Sequence, residues 1–373
     1  MEYIQTQAAL ASLAGKLKGT ELVAADTEAA GYHRYRDRVC LVQLSTRAET
    51  FVIDTLAVAE LSALAPILQS TETETVFHDA DYDLRLLARD FGLRVGRLFD
   101  TKIAAQFLGE PAIGLGALVE KYLGIVLEKK HQRADWAQRP LPADMLVYAA
   151  EDTVHLPRLR DALSAELQAL GREAWADEEF ALMLDTRWAD GVDPAAAFLK
   201  TKGARELSPR QLAALRALHS WRESTAEARD VAPFRVLSNE IILEIARALP
   251  RSTAELGAVK GMSASLLDRR GSELLTAVRN ALSLSDRDLP SFPRGPRRPP
   301  PDAAFETRME KLRVARDGAA DSLRLDRGFL MPRTQLEAIA RLQPRDIGEL
   351  AAVPELRRWQ VDVLGEKLLA TLR

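Results

Sequence analysis

Cysteine is almost missing from this chain of 373 residues: there is one, Cys40, in the apolar run VCLVQLS. A single thiol excludes an intramolecular disulfide, and in such a run it reads as a buried strand residue. No stretch approaches the roughly 20 consecutive apolar residues that span a bilayer, so no membrane partner is expected. The start, MEYIQTQAAL, has neither the basic opening nor the apolar stretch of a secretory leader, and a cytoplasmic protein is expected. No Cys or His cluster has zinc spacing. No GxxxxGK[ST] loop occurs, which argues against a nucleotide cofactor and a nucleotide-driven motor.

What is present is a soluble composition, 47% hydrophobic and 28% charged, long enough for two or three domains. The net charge of -3 hides an asymmetry. Residues 1–190 hold 20 Lys and Arg against 30 Asp and Glu; residues 191–373 hold 31 against 24. An acidic first half suits a cation-binding site, and a basic second half suits a polyanion.

The first half reads as an α/β layered domain ending near residue 185. Strands are predicted at ELVAADTE, RVCLVQLS and TFVIDTL, with linkers short enough for antiparallel pairing. A helix over 59–69, a strand at TVFHD, a helix at YDLRLLARDFG, a short strand at RLFDT and further helices follow. One of these carries Tyr148 and Asp152 and can break at the next proline. Residues 205–283 are helical throughout. The Pro- and Arg-rich stretch 284–302 reads as a linker, stiffest over 289–302, whose Arg294, Arg297 and Arg298 could touch phosphates. Residues 303–373 form another helical module. Both modules carry an E-L-x-x-V turn, at Glu255 to Val259 and Glu349 to Val353, which points to an internal duplication.

Four carboxylates stand out: Asp26 and Glu28 in LVAADTEAA, Asp83 in VFHDADYDLRLL, and Asp152 in MLVYAAEDTVHL. Asp26 and Glu28 are two apart on a strand, so they share a face. Tyr148 and Asp152 are four apart on a helix and also share a face. Carboxylates gathered from distant segments repel one another and invite hard cations such as Mg²⁺ or Mn²⁺. Two such ions can clamp the attacking and leaving oxygens of a phosphodiester. Each acid has a plainer reading as a surface group. Asp83 competes with Asp79 and Asp81, and Asp152 with Glu151.

DTE at 26–28, HDADYDL at 78–84, LFDT at 98–101, DW..RPL at 135–141 and YAAEDT at 148–153 together resemble ribonuclease D. That family belongs to the four-acidic-residue 3′–5′ exonucleases, in the branch with a tyrosine. The likeness covers about residues 1–185. Residues 205–283 resemble the HRDC-type nucleic-acid-binding domain, through WRE at 221–223 and R-x-G at 269–271. Residues 303–373 resemble it more weakly, lacking the WRE. The fold so implied is a ribonuclease H-like mixed sheet flanked by helices, followed by two all-α helical domains.

The resemblance implies the roles. Asp26, Glu28 and Asp152 would hold the ion that activates water. Asp26 would also touch a second ion, with Asp83 in support. Tyr148 would orient the water or the scissile phosphate. The partner would be single-stranded RNA 3′ ends, such as those of tRNA precursors, with DNA as the alternative and an inert binding module as another. Candidate substrate contacts are Thr27, Gln43, His78, Arg34, Arg36, Lys129, Lys130 and Arg222. His78 also reads as a structural hydrogen-bonder, Asp100 as a loop or helix-end fixture, and Trp136 as core. His155 stands where the family often has an aromatic, which leaves the local helix packing in question.

Overall fold

A computed structural model describes residues 1–58, 60–128, 130–187, 193–293 and 303–373. The strands are β1 (Glu2–Ile4), β2 (Leu22–Ala29), β3 (Val39–Ser45), β4 (Thr50–Asp54), β5 (Glu74–Phe77) and β6 (Leu98–Asp100). They form one mixed sheet in the order β1-β4-β3-β2-β5-β6. β2, β3 and β4 are antiparallel neighbours, as the short linkers predict, while β5 runs parallel to β2 and β6 to β5. β3, β4, β5 and β6 are buried along their whole length. This is the reason their sequences run apolar rather than alternating.

Two elements at the start were not anticipated: the edge strand β1, parallel to β4, and the helix Gln7–Leu17. The segment expected as a helix over 59–69 is a short 3-10 turn, Ser62–Leu64, and one helical turn, Ala65–Leu68. The helix bearing Tyr148 runs Ala143–Val154 and stops at His155; Leu156–Ala169 then starts afresh with Pro157 in its first turn. A proline there needs no N–H partner, whereas inside a continuous helix it would remove a bond.

The two helical modules repeat one plan. Pro209–Ala228, Pro233–Val236, Asn239–Ala248, Thr253–Gly257 and Ala264–Leu282 correspond in order to Ala303–Leu323, Arg327–Leu330, Arg333–Leu342, Ile347–Ala351 and Arg358–Leu372. The ELxxV glutamates do the same work in both. Glu255 accepts from the backbone N–H of Arg251 at 2.7 Å, and Glu349 from that of Arg345 at 2.8 Å. Leu249 and Gln343 close the preceding helices, both at φ 49°. The linker arginines Arg294, Arg297 and Arg298 lie outside the described residues.

Both modules touch the sheet domain. The first meets the loop after β2: Ala232 N–H donates to the His33 carbonyl at 3.1 Å and Arg235 to the Tyr32 carbonyl at 2.9 Å. The second shares a continuous apolar core with the sheet domain. Trp359 stacks on Trp175 at 5.7 Å and meets Phe107 edge-on at 5.1 Å. Glu178 accepts from the backbone N–H groups of Arg358 and Trp359 at 2.8 and 3.0 Å. A carboxylate from the sheet domain thereby caps the final helix, where its dipole favours negative charge. Gly109 (φ +77°) lies so close to the Arg324 carbonyl oxygen that an added Cβ would stand 2.0 Å from it.

Candidate metal centre

Asp26 and Glu28 project from the middle and end of β2, and Asp152 from the helix Ala143–Val154, which crosses β2, β3 and β4. One oxygen from each of the three lies within 4.8 Å of the others. β2 supplies two of the three acids because a strand repeats its faces every second residue, and the register shift between Glu28 and Ala29 turns the strand away just beyond them. The helix is held down by a hydroxyl chain. Ser45 Oγ lies 2.8 Å from Thr50 Oγ1 and 2.8 Å from Thr153 Oγ1, next to Asp152.

Asp83 enters from the first turn of the helix Asp81–Phe91 and is buried. It stands apart from the three-oxygen group, and its carboxylate accepts from the hydroxyl of Thr27, between the two β2 acids. Its helix is aimed by Asp100. That carboxylate accepts from Ala80 N–H at 2.7 Å, ahead of the Asp83 helix, and from Lys102 and Ile103 N–H at 2.8 and 3.0 Å.

Electrostatically the four acids are a strained set. Burial, then the charges of Asp83, Asp152 and Glu28, hold Asp26 well above the usual carboxylate range. Burial, then Asp152 and Asp83, do the same to Glu28. Burial pushes Asp83 up to about 7, and burial with Glu151 pushes Asp152 up to about 7. Buried like charges disfavour their own ionisation unless a cation joins them. The donor set is all hard oxygen, which is the chemistry of Mg²⁺, Mn²⁺ and their kind rather than of zinc. These residues therefore fit a divalent cation.

Tyr148 is buried in the cluster under the helix Ala143–Val154 with Trp136, Met145 and Leu41. Burial, then the neighbouring Asp152, Glu28 and Asp26, raise its phenol further above its ordinary value. Trp136 packs at 6.1 Å from it and His131 edge-on at 5.6 Å. The segment carrying Trp136 is anchored by Arg139, which grips Asp54 at 2.6 and 2.7 Å and donates to the Trp136 carbonyl at 2.8 Å. Sequence reasoning did not single out this pair; the isolated acid ending TFVID, followed by the arginine of RPL, is the only trace it leaves.

The expected substrate contacts fare differently. Arg34 pairs with Asp135 at 2.7 Å and approaches Asp230 of the first helical module at 3.8 Å, so it ties modules together. Arg222 corrects the expectation of a phosphate contact: it is buried, donating to Asn239 at 2.7 Å and pairing with Glu223 at 2.9 Å. Gln43, expected to face the nucleotide, is fully buried at the centre of β3. His78 bonds Thr101 at 2.9 Å, and burial lowers its pKa to about 4, so it is neutral and structural. Lys130 pairs with Asp144 at 3.2 Å, Thr27 is engaged by Asp83, and Arg36 is exposed. Lys129 lies outside the described residues. No helix among the described residues is long and apolar enough to cross a membrane.

Comparison with known proteins places this site in a family. Residues 1–168 match a 3′–5′ exonuclease domain. Residues 211–278 and 305–372 each match an HRDC domain. The chain is 30% identical over 373 residues to ribonuclease D of Nitrobacter hamburgensis, covering 99% of this chain and 94% of that one. It is 32% identical over 382 residues to ribonuclease D of Zymomonas mobilis, covering 99% and 93%. The crystal structure of Escherichia coli RNase D superposes with a TM-score of 0.72 at 29% identity, covering 100% of this chain and 98% of that one.

Proposed function

The chain belongs to the ribonuclease D family, and from that premise we propose that it is a divalent-metal-dependent 3′–5′ exoribonuclease. The observation that carries this reading is the convergence of Asp26, Glu28 and Asp152 within 4.8 Å, with Asp83 close enough to raise both β2 acids. Asp26, Glu28 and Asp152 would hold one ion; Asp26 and Asp83 would serve a second. Mg²⁺ and Mn²⁺ are the candidates. Bound there, such ions supply Lewis-acid activation of water and charge stabilisation for the departing 3′-oxygen.

The chain's own groups do the rest. Thr27 holds the Asp83 carboxylate in one rotamer. Tyr148 keeps its proton, because burial and three nearby acids oppose phenolate formation. It therefore donates a hydrogen bond to the attacking water or the scissile phosphate and does not act as the base. Cleavage at the last phosphodiester releases a nucleoside 5′-monophosphate. The Escherichia coli relative is an exoribonuclease involved in structured RNA processing, which supports structured RNAs as substrates here; tRNA precursors are the members of that class we propose. The two helical modules support an extended substrate over a dinucleotide.

The test uses 5′-labelled single strands of RNA and DNA of one sequence, with Mg²⁺ and with Mn²⁺. The expected result is stepwise shortening of the RNA from its 3′ end, faster than the DNA. Preferential shortening of the DNA would make it a DNA exonuclease. Binding without cleavage of either would make it a binding module.

A further inference from the structure

Gln43 lies at the centre of β3, and its side chain is fully buried. Neither its Nε2 nor its Oε1 has a hydrogen-bond partner among the described residues. Two places along the same strand, by contrast, Ser45 bonds both Thr50 and Thr153. An unpaired buried amide destabilises a fold, and native proteins rarely keep one without a use for it.

Its position indicates the use. Strand alternation puts Leu41, Gln43 and Ser45 on one face of β3. Leu41 packs with Tyr148 and Ala149, and Ser45 bonds Thr153, so this is the face that the helix Ala143–Val154 covers. Gln43 stands between those two contacts, beneath the turn that runs from Tyr148 to Asp152. Across the strand pair, its partner in register is Asp26. Directly opposed residues of an antiparallel pair share a face, with their Cβ atoms roughly 4.5–5.5 Å apart. The amide is therefore enclosed by Asp26 at its side and the helix bearing Asp152 above it, with no route to solvent.

We infer that Gln43 is the positioning residue for Asp26: its Nε2–H, unpaired in this structure, comes to donate to the Asp26 carboxylate when that acid ionises to hold a cation. An amide donor stabilises a carboxylate anion and fixes its rotamer, while the acid's other lone pairs stay directed at the ion. This role rests on the proposed metal-dependent function and adds a residue that touches neither RNA nor metal.

The test compares wild type with Gln43→Met, which keeps length and removes the polar head, and with Gln43→Leu should the first variant not fold. Two readouts are taken: the rise in Tm as Mn²⁺ is added without RNA, and the Mn²⁺ dependence of RNA hydrolysis. The expected result is a metal-free Tm equal to or above wild type, because an unpaired amide is gone. The Mn²⁺ concentration for the half-maximal Tm shift should rise roughly tenfold, the scale of one lost charge-assisted hydrogen bond. KM for RNA should stay unchanged. A lowered metal-free Tm with an unchanged Mn²⁺ midpoint would make Gln43 a packing residue and overturn the inference. An unchanged Tm with an unchanged midpoint would overturn it too. Should wild type itself show no Mn²⁺ shift and no hydrolysis, the metal-dependent function fails first, so the two failures are told apart.

Discussion

Ser45 and Thr153 share a hydrogen bond of 2.8 Å that joins the third strand of the sheet to the helix carrying Asp152. Asp152 is the only one of the three clustered acids that does not come from β2, so its place depends on how that helix sits. Thr153→Val removes the hydroxyl and keeps the shape. The expected loss is about 1 kcal/mol of stability, with a fall in the rate of RNA hydrolysis that exceeds any change in KM. Thermal unfolding alongside steady-state kinetics checks both.

Asp26→Asn should stabilise the metal-free protein while abolishing hydrolysis. Asp83 and Asp152 sit at about 7 in the fold, against roughly 3.9 for a free aspartate. Between those values the folded state binds more protons than the unfolded one. The stability these groups contribute is therefore complete below about pH 4 and lost as pH rises towards 7. Removing one charge relieves the repulsion only where the acids are ionised. The variant's metal-free Tm should exceed that of wild type at pH 8, by roughly 2–4 °C per kcal/mol relieved, and match it near pH 4. Equal melting temperatures at pH 8 would contradict the electrostatic account.

Tyr148→Phe tests orientation against metal holding. The clustered carboxylates are Asp26, Glu28 and Asp152, and their charges raise the phenol beside them, so it stays protonated and a poor cation ligand. The rate should fall roughly 10²-fold, the low end for loss of a positioned proton donor, while the Mn²⁺-induced rise in Tm stays as in wild type. A weakened metal response would instead make the phenol part of the cation site.

Trp359→Ala should release the second helical module. The indole is buried against Trp175, Phe107 and Phe329, and truncating a buried tryptophan costs roughly 3–5 kcal/mol. Limited proteolysis should cut around residues 303–373 at protease levels that leave wild type whole. Uniform resistance would show that the polar contacts suffice to hold the module: Arg172, which donates to the Phe107 and Leu323 carbonyls at 2.5 and 2.8 Å, and Glu178, which accepts from the Arg358 and Trp359 N–H groups.

The clustering of the acids was legible in the sequence because strand and helix periodicity decide which acids share a face. Asp26 with Glu28, and Tyr148 with Asp152, need no tertiary information. The sequence carried the antiparallel β2–β4 unit for the same reason, through short linkers. It did not carry β1, a three-residue strand whose pairing with β4 is set by distant packing. Nor did it tell arginines apart. Arg222 sits one helical turn after a buried leucine and its guanidinium turns inward to the adjacent Glu223 and to Asn239, a partner 17 residues away. Gln43 read as a polar residue near a substrate, whereas burial on all sides is a property of the assembled sheet and helix. The docking of Trp359 on Trp175 joins segments 184 residues apart and has no local signature.

The most direct test of the central claim is hydrolysis of a 3′-labelled single-stranded RNA with Mg²⁺ or Mn²⁺, with EDTA, and with Asp26→Asn. The account predicts that the first labelled product is a nucleoside 5′-monophosphate, and that EDTA and the substitution each abolish its release. A labelled oligonucleotide as first product, or release that survives EDTA or the loss of Asp26, would contradict it.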